Sequence, residues 1–175
     1  MRFLDTGLPL SHIDGHLNMQ MHPTVFAILC RLMPKYGIET FRLTRERLGT
    51  ELAISPARLL GKAVHACIFS MLARQCRNDL ELRRLNHAAE VKGLLNSGGM
   101  TEEYLLAALE RLHDGLTEFY FHPADLSDAE PAGTVPGYLH KEELAALLSP
   151  KVREKIRTMG ILLQNYRGEV KCCEM

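Results

Sequence analysis

The sequence predicts an α/β fold built on a mostly parallel sheet, and three observations lead there. Short apolar runs alternate along the chain with longer segments whose apolar residues recur at helical spacing. Glycine or proline marks most of the joints between them. The chain has 175 residues, 46% hydrophobic and 24% charged, which suits one domain with a real core.

The elements follow in order. Residues 8–13 read as a strand running into Asp14-Gly15, and Pro23 suits the first turn of a helix. Phe26, Leu29, Cys30, Leu32 and Met33 repeat with helical spacing until Gly37. Residues 38–43 alternate as a short strand would. Ser55-Pro56 reads as the start of a long helix, with Leu59, Leu60, Ala63, Val64, Cys67, Ile68, Met71 and Leu72 as its apolar face and its end between Arg77 and Arg84. Residues 91–95 form a third strand closed by the turn-like 96–99. Thr101 opens a helix carrying Leu105, Leu106, Leu109 and Leu112, closed by Gly115. Residues 116–121 suit a fourth strand, with Phe119, Tyr120 and Phe121 at its end. Residues 125–137 read as a loop, 142–148 and 150–159 as helices, and 161–166 as a last strand. This β-α-β-α-β-α-β-α-β order implies helical crossovers between parallel strands. In such folds function gathers at the C-terminal ends of the strands. One domain is expected over 1–168, followed by a polar tail at 169–175.

Composition excludes several partners. The 21 basic and 21 acidic residues cancel, so nothing in the charge draws the chain to nucleic acid or anionic lipid. No apolar run reaches the roughly 20 residues of a membrane span, and residues 1–10 do not read as a secretory signal. Five cysteines, odd in number and irregular in spacing, suggest reduced thiols and a cytoplasmic location. The Cys172-Cys173 pair lacks the spacing of known metal sites.

Two strand ends carry chemistry. Between His12 and His22 lie three of the eight histidines together with Asp14. Imidazole and carboxylate together suit Zn²⁺ and similar metals. If that segment is extended, His16, Asn18, Gln20 and His22 share one side, and Gly15 lets the backbone turn tightly beside a ligand. The same residues would serve equally as a polar loop with ordinary hydrogen bonds. The second end is His122, after the aromatic run 119–121, where acids and bases sit in barrels. As alternatives, it could be a capping or core histidine. His65 is expected to be packed on the long helix, His87, His113 and His140 to be solvated, Met19 and Met21 to fill the core, and 141–143 to form an exposed first turn. Arg45 and Glu46 could reach a sugar or a phosphate-bearing substrate, and a surface ion pair would suit them equally.

Asp14-Gly15-His16 running to His22-Pro23, Tyr120-Phe121-His122-Pro123-Ala124, and Gly137-Tyr138 through Glu142-Glu143-Leu144 together resemble the YdjC-like carbohydrate deacetylases. The resemblance is nearest to the branch associated with hopanoid biosynthesis and runs from about residue 4 to 167. The stretches 42–46 and 97–100 are also similar to that branch. The resemblance implies a (β/α) barrel of the polysaccharide-deacetylase type that removes an N-acetyl group from an amino sugar, on a glycosylated lipid in this branch. It implies a divalent metal, Mg²⁺ or Zn²⁺, which would polarise the amide and activate water. It makes His16 the metal ligand, His122 and Asp14 the catalytic candidates, and His22 and Arg45 candidate substrate contacts. Family members usually carry His at Asn18 and often at Gln20. They also open with an Ala-Asp-Asp-Phe-Gly strand and a Gly-Leu-His segment that these 175 residues do not contain. The expectation is therefore an incomplete barrel with its N-terminal strands missing, active as an enzyme portion or persisting as an inactive, sugar-binding relic. A homo-oligomer or a partner chain could complete it.

Overall fold

The structure, a computed structural model, describes residues 3–125 and 135–171. Strand β1 (His12–Ile13) runs parallel to β2 (Thr40–Phe41), and β3 (Glu90–Lys92) runs parallel to β4 (Thr117–Phe119). A parallel bridge between Thr40 and Asn86 joins the two pairs, with Val91 N–H donating to the Arg45 carbonyl. Each crossover therefore adds the next strand beside the last. Helix α1 (Pro23–Leu32) links β1 to β2. Helices α2 (Leu48–Ile54) and α3 (Leu59–Leu82) link β2 to β3, and α4 (Glu102–Leu109) links β3 to β4. Helices α5 (His140–Leu148) and α6 (Pro150–Thr158) follow, then β5 (Leu163–Gln164) and β6 (Val170–Lys171).

The main core sits between β1, β2 and the helices α1 and α3. Met21, Met33, Phe41, Leu43, Ala73 and Leu80 are buried there. A second cluster holds Leu105, Leu109, Ala146 and Val152, with Phe119 and Phe121 packed against it from the β4 end. Local signals placed these helices well. Pro23 and Pro150 occupy first turns, the Thr101 hydroxyl accepts the Tyr104 N–H, and the Ser149 hydroxyl accepts that of Val152.

Several expectations are corrected. Helix α3 starts at Leu59, not at Ser55-Pro56. Ser55 instead ends α2, a helix the sequence pattern did not reveal. The apolar stripe of α3 does not face the core: Leu60 is 80% exposed, and Val64, Ile68 and Met71 are exposed beside it. The buried face carries Lys62, Ala66, Ala73, Cys76 and Leu80. Lys62 can be buried because its ammonium donates to Glu51 and to the Ser55 carbonyl, both at 2.6 Å. The last strand joins no parallel neighbour; β5 pairs antiparallel with β6. That hairpin runs across the boundary drawn at 168. His65 is exposed, and Met21 is buried while Met19 is not. Cys30 and Cys76 are buried free thiols, as expected, whereas Cys67 is exposed. Most of the 125–137 loop, and the Cys172-Cys173 pair, lie outside the described residues. No helix among the described residues is long and apolar enough to cross a membrane.

Candidate functional site

Side chains two apart on a strand share a face, so Thr40, Arg42 and Thr44 line one side of β2 and its extension, and Glu118, Tyr120 and His122 line the same side of β4. His12 and Asp14 complete the row from β1. This face is polar where the opposite one, bearing Phe41 and Leu43, is core.

Arg42 ties the row together. Its guanidinium donates to Glu118 Oε1 at 2.5 Å and to the Tyr166 hydroxyl at 2.9 Å, and it pairs with Asp14 Oδ2 at 2.9 Å. It also lies over the Tyr120 ring, 5.3 Å from its centroid. Burial opposes its charge, but Glu118, Tyr166 and Asp14 more than offset that, and its pKa rises. The C-terminal hairpin is docked here as well. Tyr166 stacks on His12 at 3.6 Å, its hydroxyl donates to Glu118, and its carbonyl accepts from Thr40. Burial pushes the Tyr166 hydroxyl up to about 12, and lowers the pKa of His12.

Beyond Arg42 the row opens into an aromatic and imidazole cluster. The His122 ring meets Tyr120 and Tyr138 edge-on, at 5.5 and 5.0 Å between centroids. The His122 N–H donates to Glu143 Oε2 at 2.5 Å, and its carbonyl meets His140 Nδ1 at 2.5 Å. Glu143 also accepts the Met100 N–H. Two ring nitrogens, His122 Nδ1 and His140 Nε2, are buried without a partner among the described residues. Burial lowers the pKa of His122, only partly opposed by Glu143, so the ring is neutral near pH 7. Burial pushes the Tyr120 hydroxyl up to about 12, opposed in part by the nearby Asn18 and Ser97 side chains. Ser97 also bonds Tyr138, and a side chain at Gly98 (φ +77°) would collide with the Tyr138 ring. The chain needs glycine there twice over.

The His16 segment is not extended. Residues His16–Met21 form a kinked 3-10 turn with Leu17 and Asn18 in the left-handed region. The four polar side chains therefore do not share one side. His16 and His22 are exposed, while Gln20 is buried and donates to Thr44 Oγ1 and the Arg42 carbonyl. Thr44 in turn donates to Asn18 at 2.8 Å. Gly15 is close to Gln20, where an added Cβ would sit 2.7 Å from Oε1 and 2.9 Å from the backbone nitrogen. Gln20 and Asn18 thus hold this loop against β2. Arg45 points away from the row, into a cavity against α3.

Among the described residues, no three His, Cys, Asp or Glu side chains gather closely enough to hold a metal ion. Asp14 is committed to Arg42, and His16 belongs to no group of three such side chains among the described residues. The described residues therefore do not by themselves form the divalent-metal site that the resemblance implies. Glu118 and Tyr166 were not singled out in the sequence, and Tyr138, His140 and Glu143 were given no part in the site. His140 is half-buried rather than solvated, and Glu143 is fully buried rather than in an exposed turn. The available signal was the polar alternation 118, 120, 122 in β4.

Parallel strands whose C-terminal ends gather polar side chains define an α/β chain with its candidate site at those ends. The model of the YdjC-like protein family matches residues 1–158, and the chain belongs to that family. It is 26% identical over 167 residues to a carbohydrate deacetylase from Geobacillus stearothermophilus, covering 95% of this chain and 54% of that one. Its fold is similar to a crystal structure from Enterococcus faecalis named, provisionally, for cellobiose-phosphate cleavage. The TM-score is 0.61 at 22% identity, over 97% of this chain and 56% of the other. The chain thus spans about half the length of the proteins it matches.

Proposed function

We propose that this chain carries the substrate-holding portion of a carbohydrate deacetylase site, one that removes an N-acetyl group from an amino sugar. The observation that carries the reading is the row Asp14, Arg42, Tyr120 and His122 at the C-terminal strand ends of a YdjC-family chain. The Geobacillus relative, named a carbohydrate deacetylase, supports the same class. Tyr120 and Tyr138 supply aromatic surface of the kind sugars stack on. Between them the neutral His122 holds a buried Nδ1 with no partner among the described residues, which a sugar hydroxyl or the acetamide would satisfy. Asp14 fixes Arg42 at the mouth of the row.

The finer reading rests on the resemblance. It takes the substrate as an N-acetylated sugar on a glycosylated lipid of the hopanoid kind, handled in the cytoplasm. It takes Mg²⁺ or Zn²⁺ as the metal and His16 as one ligand. The described residues do not by themselves supply the other ligands, and a second copy or a partner chain is one source of them. His22, exposed at the start of α1, would touch the substrate's periphery.

Acetate release from N-acetylglucosamine oligomers, with Mg²⁺ or Zn²⁺ supplied, tests the proposal. Turnover abolished by His122→Ala supports it. No acetate, together with sugar affinity that His122→Ala leaves unchanged, overturns it. A second reading, sugar binding without turnover, is favoured by the lack of three clustered ligands among the described residues. It predicts sugar affinity that depends on Tyr120 and Tyr138 with no acetate released under any metal.

A further inference from the structure

A second site lies on the other side of β2 from His122. Arg42 and Thr44 face the polar row, while Leu43 faces the helices, and Arg45 follows Leu43. There, between the segment after β2 and helix α3, is a cavity of about 660 Å³. Arg45 and Arg47 line it from one side. Arg74 and Arg77, three apart and so on one face of α3, line it from the other. We propose that this cavity binds a phosphate-bearing small molecule through these four arginines.

Most of this charge is uncompensated. Arg45, Arg74 and Arg77 have no ion pair and no side-chain hydrogen bond among the described residues, and Arg47 reaches Glu90 only at 3.8 Å. Burial and the charges of Arg77 and Arg47 depress the pKa of Arg45, with Glu90 opposing them weakly. Glu46 also lines the cavity, but its carboxylate is fully buried. It accepts the Leu95 N–H at 2.8 Å and faces Lys92, so it presents no charge to a ligand. Gathering cations in this way is unfavourable until an anion arrives. A phosphate monoester carries nearly two charges and three acceptor oxygens, matched to the forked guanidinium better than one carboxylate is. The cavity is larger than a phosphate and within the range of small-molecule sites. Leu48 and Ala63 give it an apolar wall for the rest of the ligand.

Calorimetric titration at constant ionic strength, with pyrophosphate, glucose 6-phosphate and glucose, tests this. Pyrophosphate and glucose 6-phosphate should bind this cavity, whereas any binding of glucose should be indifferent to the arginine substitutions that follow. Arg45→Gln and Arg77→Gln should each weaken binding by about tenfold, the worth of one charge-assisted contact. Arg74→Gln, at an exposed position where folding is safe, should weaken it several-fold. Arg157→Gln, a surface control on α6, should leave it unchanged. Absence of binding at millimolar phosphate, or equal weakening by Arg157→Gln, overturns the proposal. So does parallel weakening by His122→Ala, which would place the phosphate in the sugar site instead. Because glucose and acetate release report only on the polar row, failure here leaves the deacetylase reading standing.

Discussion

The two histidine-bearing strand ends are built in opposite ways. At the end of β1, His16 and His22 are exposed, Asp14 is half open, and the polar anchors are the amides Asn18 and Gln20. At the end of β4, His122 is enclosed by two tyrosines, its backbone is fixed by a buried carboxylate, and a ring nitrogen has no partner among the described residues. The first end is dense in metal-binding residue types and poor in geometry. The second has one histidine in its local sequence and much the better geometry. Residue types concentrated along a chain do not make a site unless packing orders them. An exposed side chain keeps its rotamer freedom and its water.

The largest test of that contrast is Glu143→Ala. The carboxylate is wholly buried and accepts two backbone N–H groups, from Met100 and His122. Its removal leaves both donors unsatisfied, and we expect a loss of about 3 kcal/mol in urea denaturation. Asp14→Ala, at the open end, should cost under about 1 kcal/mol, as a partly exposed ion pair does. Equal costs at the two ends would break the comparison.

Next in size is a pH effect from the enclosed side. Burial raises the Glu46 carboxyl to about 7, although Leu95 N–H and Lys92 favour its ionised form. The unfolded chain gives up this proton near the ordinary glutamate value, and the native chain holds it to about 7. Native Glu46 therefore adds stability at low pH that is lost as pH rises through that window. The gap is worth on the order of 3 kcal/mol. Glu46→Gln keeps an acceptor for Leu95 and removes the ionisation. Its denaturation free energy should fall less than the parent's between pH 5 and pH 8. An identical slope in the two proteins would show that Glu46 is not what titrates.

Sequence made the strands and most helices legible because their signals are local. The alternation in 38–43 and the aromatic run 119–121 mark strands, and Pro23, Thr101 and Pro150 mark helix starts. Helix α2 escaped because nothing local favours it. It is seven residues with no side-chain cap, and Glu51 anchors it to Lys62 and to the Tyr104 hydroxyl, contacts distant in sequence. The period of α3 was legible but its orientation was not. A helical repeat of leucine and methionine gives the pitch, and only the partners of Lys62 explain why the face carrying that lysine turns inward. The site divides in the same way. His122 was found from its position after a strand, whereas Glu143, His140 and Tyr166 reach the row across 18 to 124 positions of chain. No spacing rule connects residues so far apart.

A smaller effect probes how the open end is held. Gly15 lies in extended backbone that any residue could adopt, so only space is at stake. A methyl group there would press on the Gln20 side chain and backbone, and we expect Gly15→Ala to cost about 1–3 kcal/mol, as overpacking does. The displaced Gln20 would also release Thr44 and the Arg42 carbonyl, so sugar affinity should fall along with stability.

The smallest effect is the sharpest test of the contrast. His16 is exposed, so His16→Ala should change stability by less than about 0.5 kcal/mol. If the enclosed β4 end holds the sugar, this variant should also bind sugar as the parent does, while His122→Ala does not. Metal affinity separates what remains. A variant that keeps sugar binding but loses Zn²⁺ uptake, measured by equilibrium dialysis, would make His16 a ligand awaiting others. Unchanged uptake would leave the β1 end as a loop whose histidines serve solvent, and the chemistry of this face would then rest on the β4 end alone.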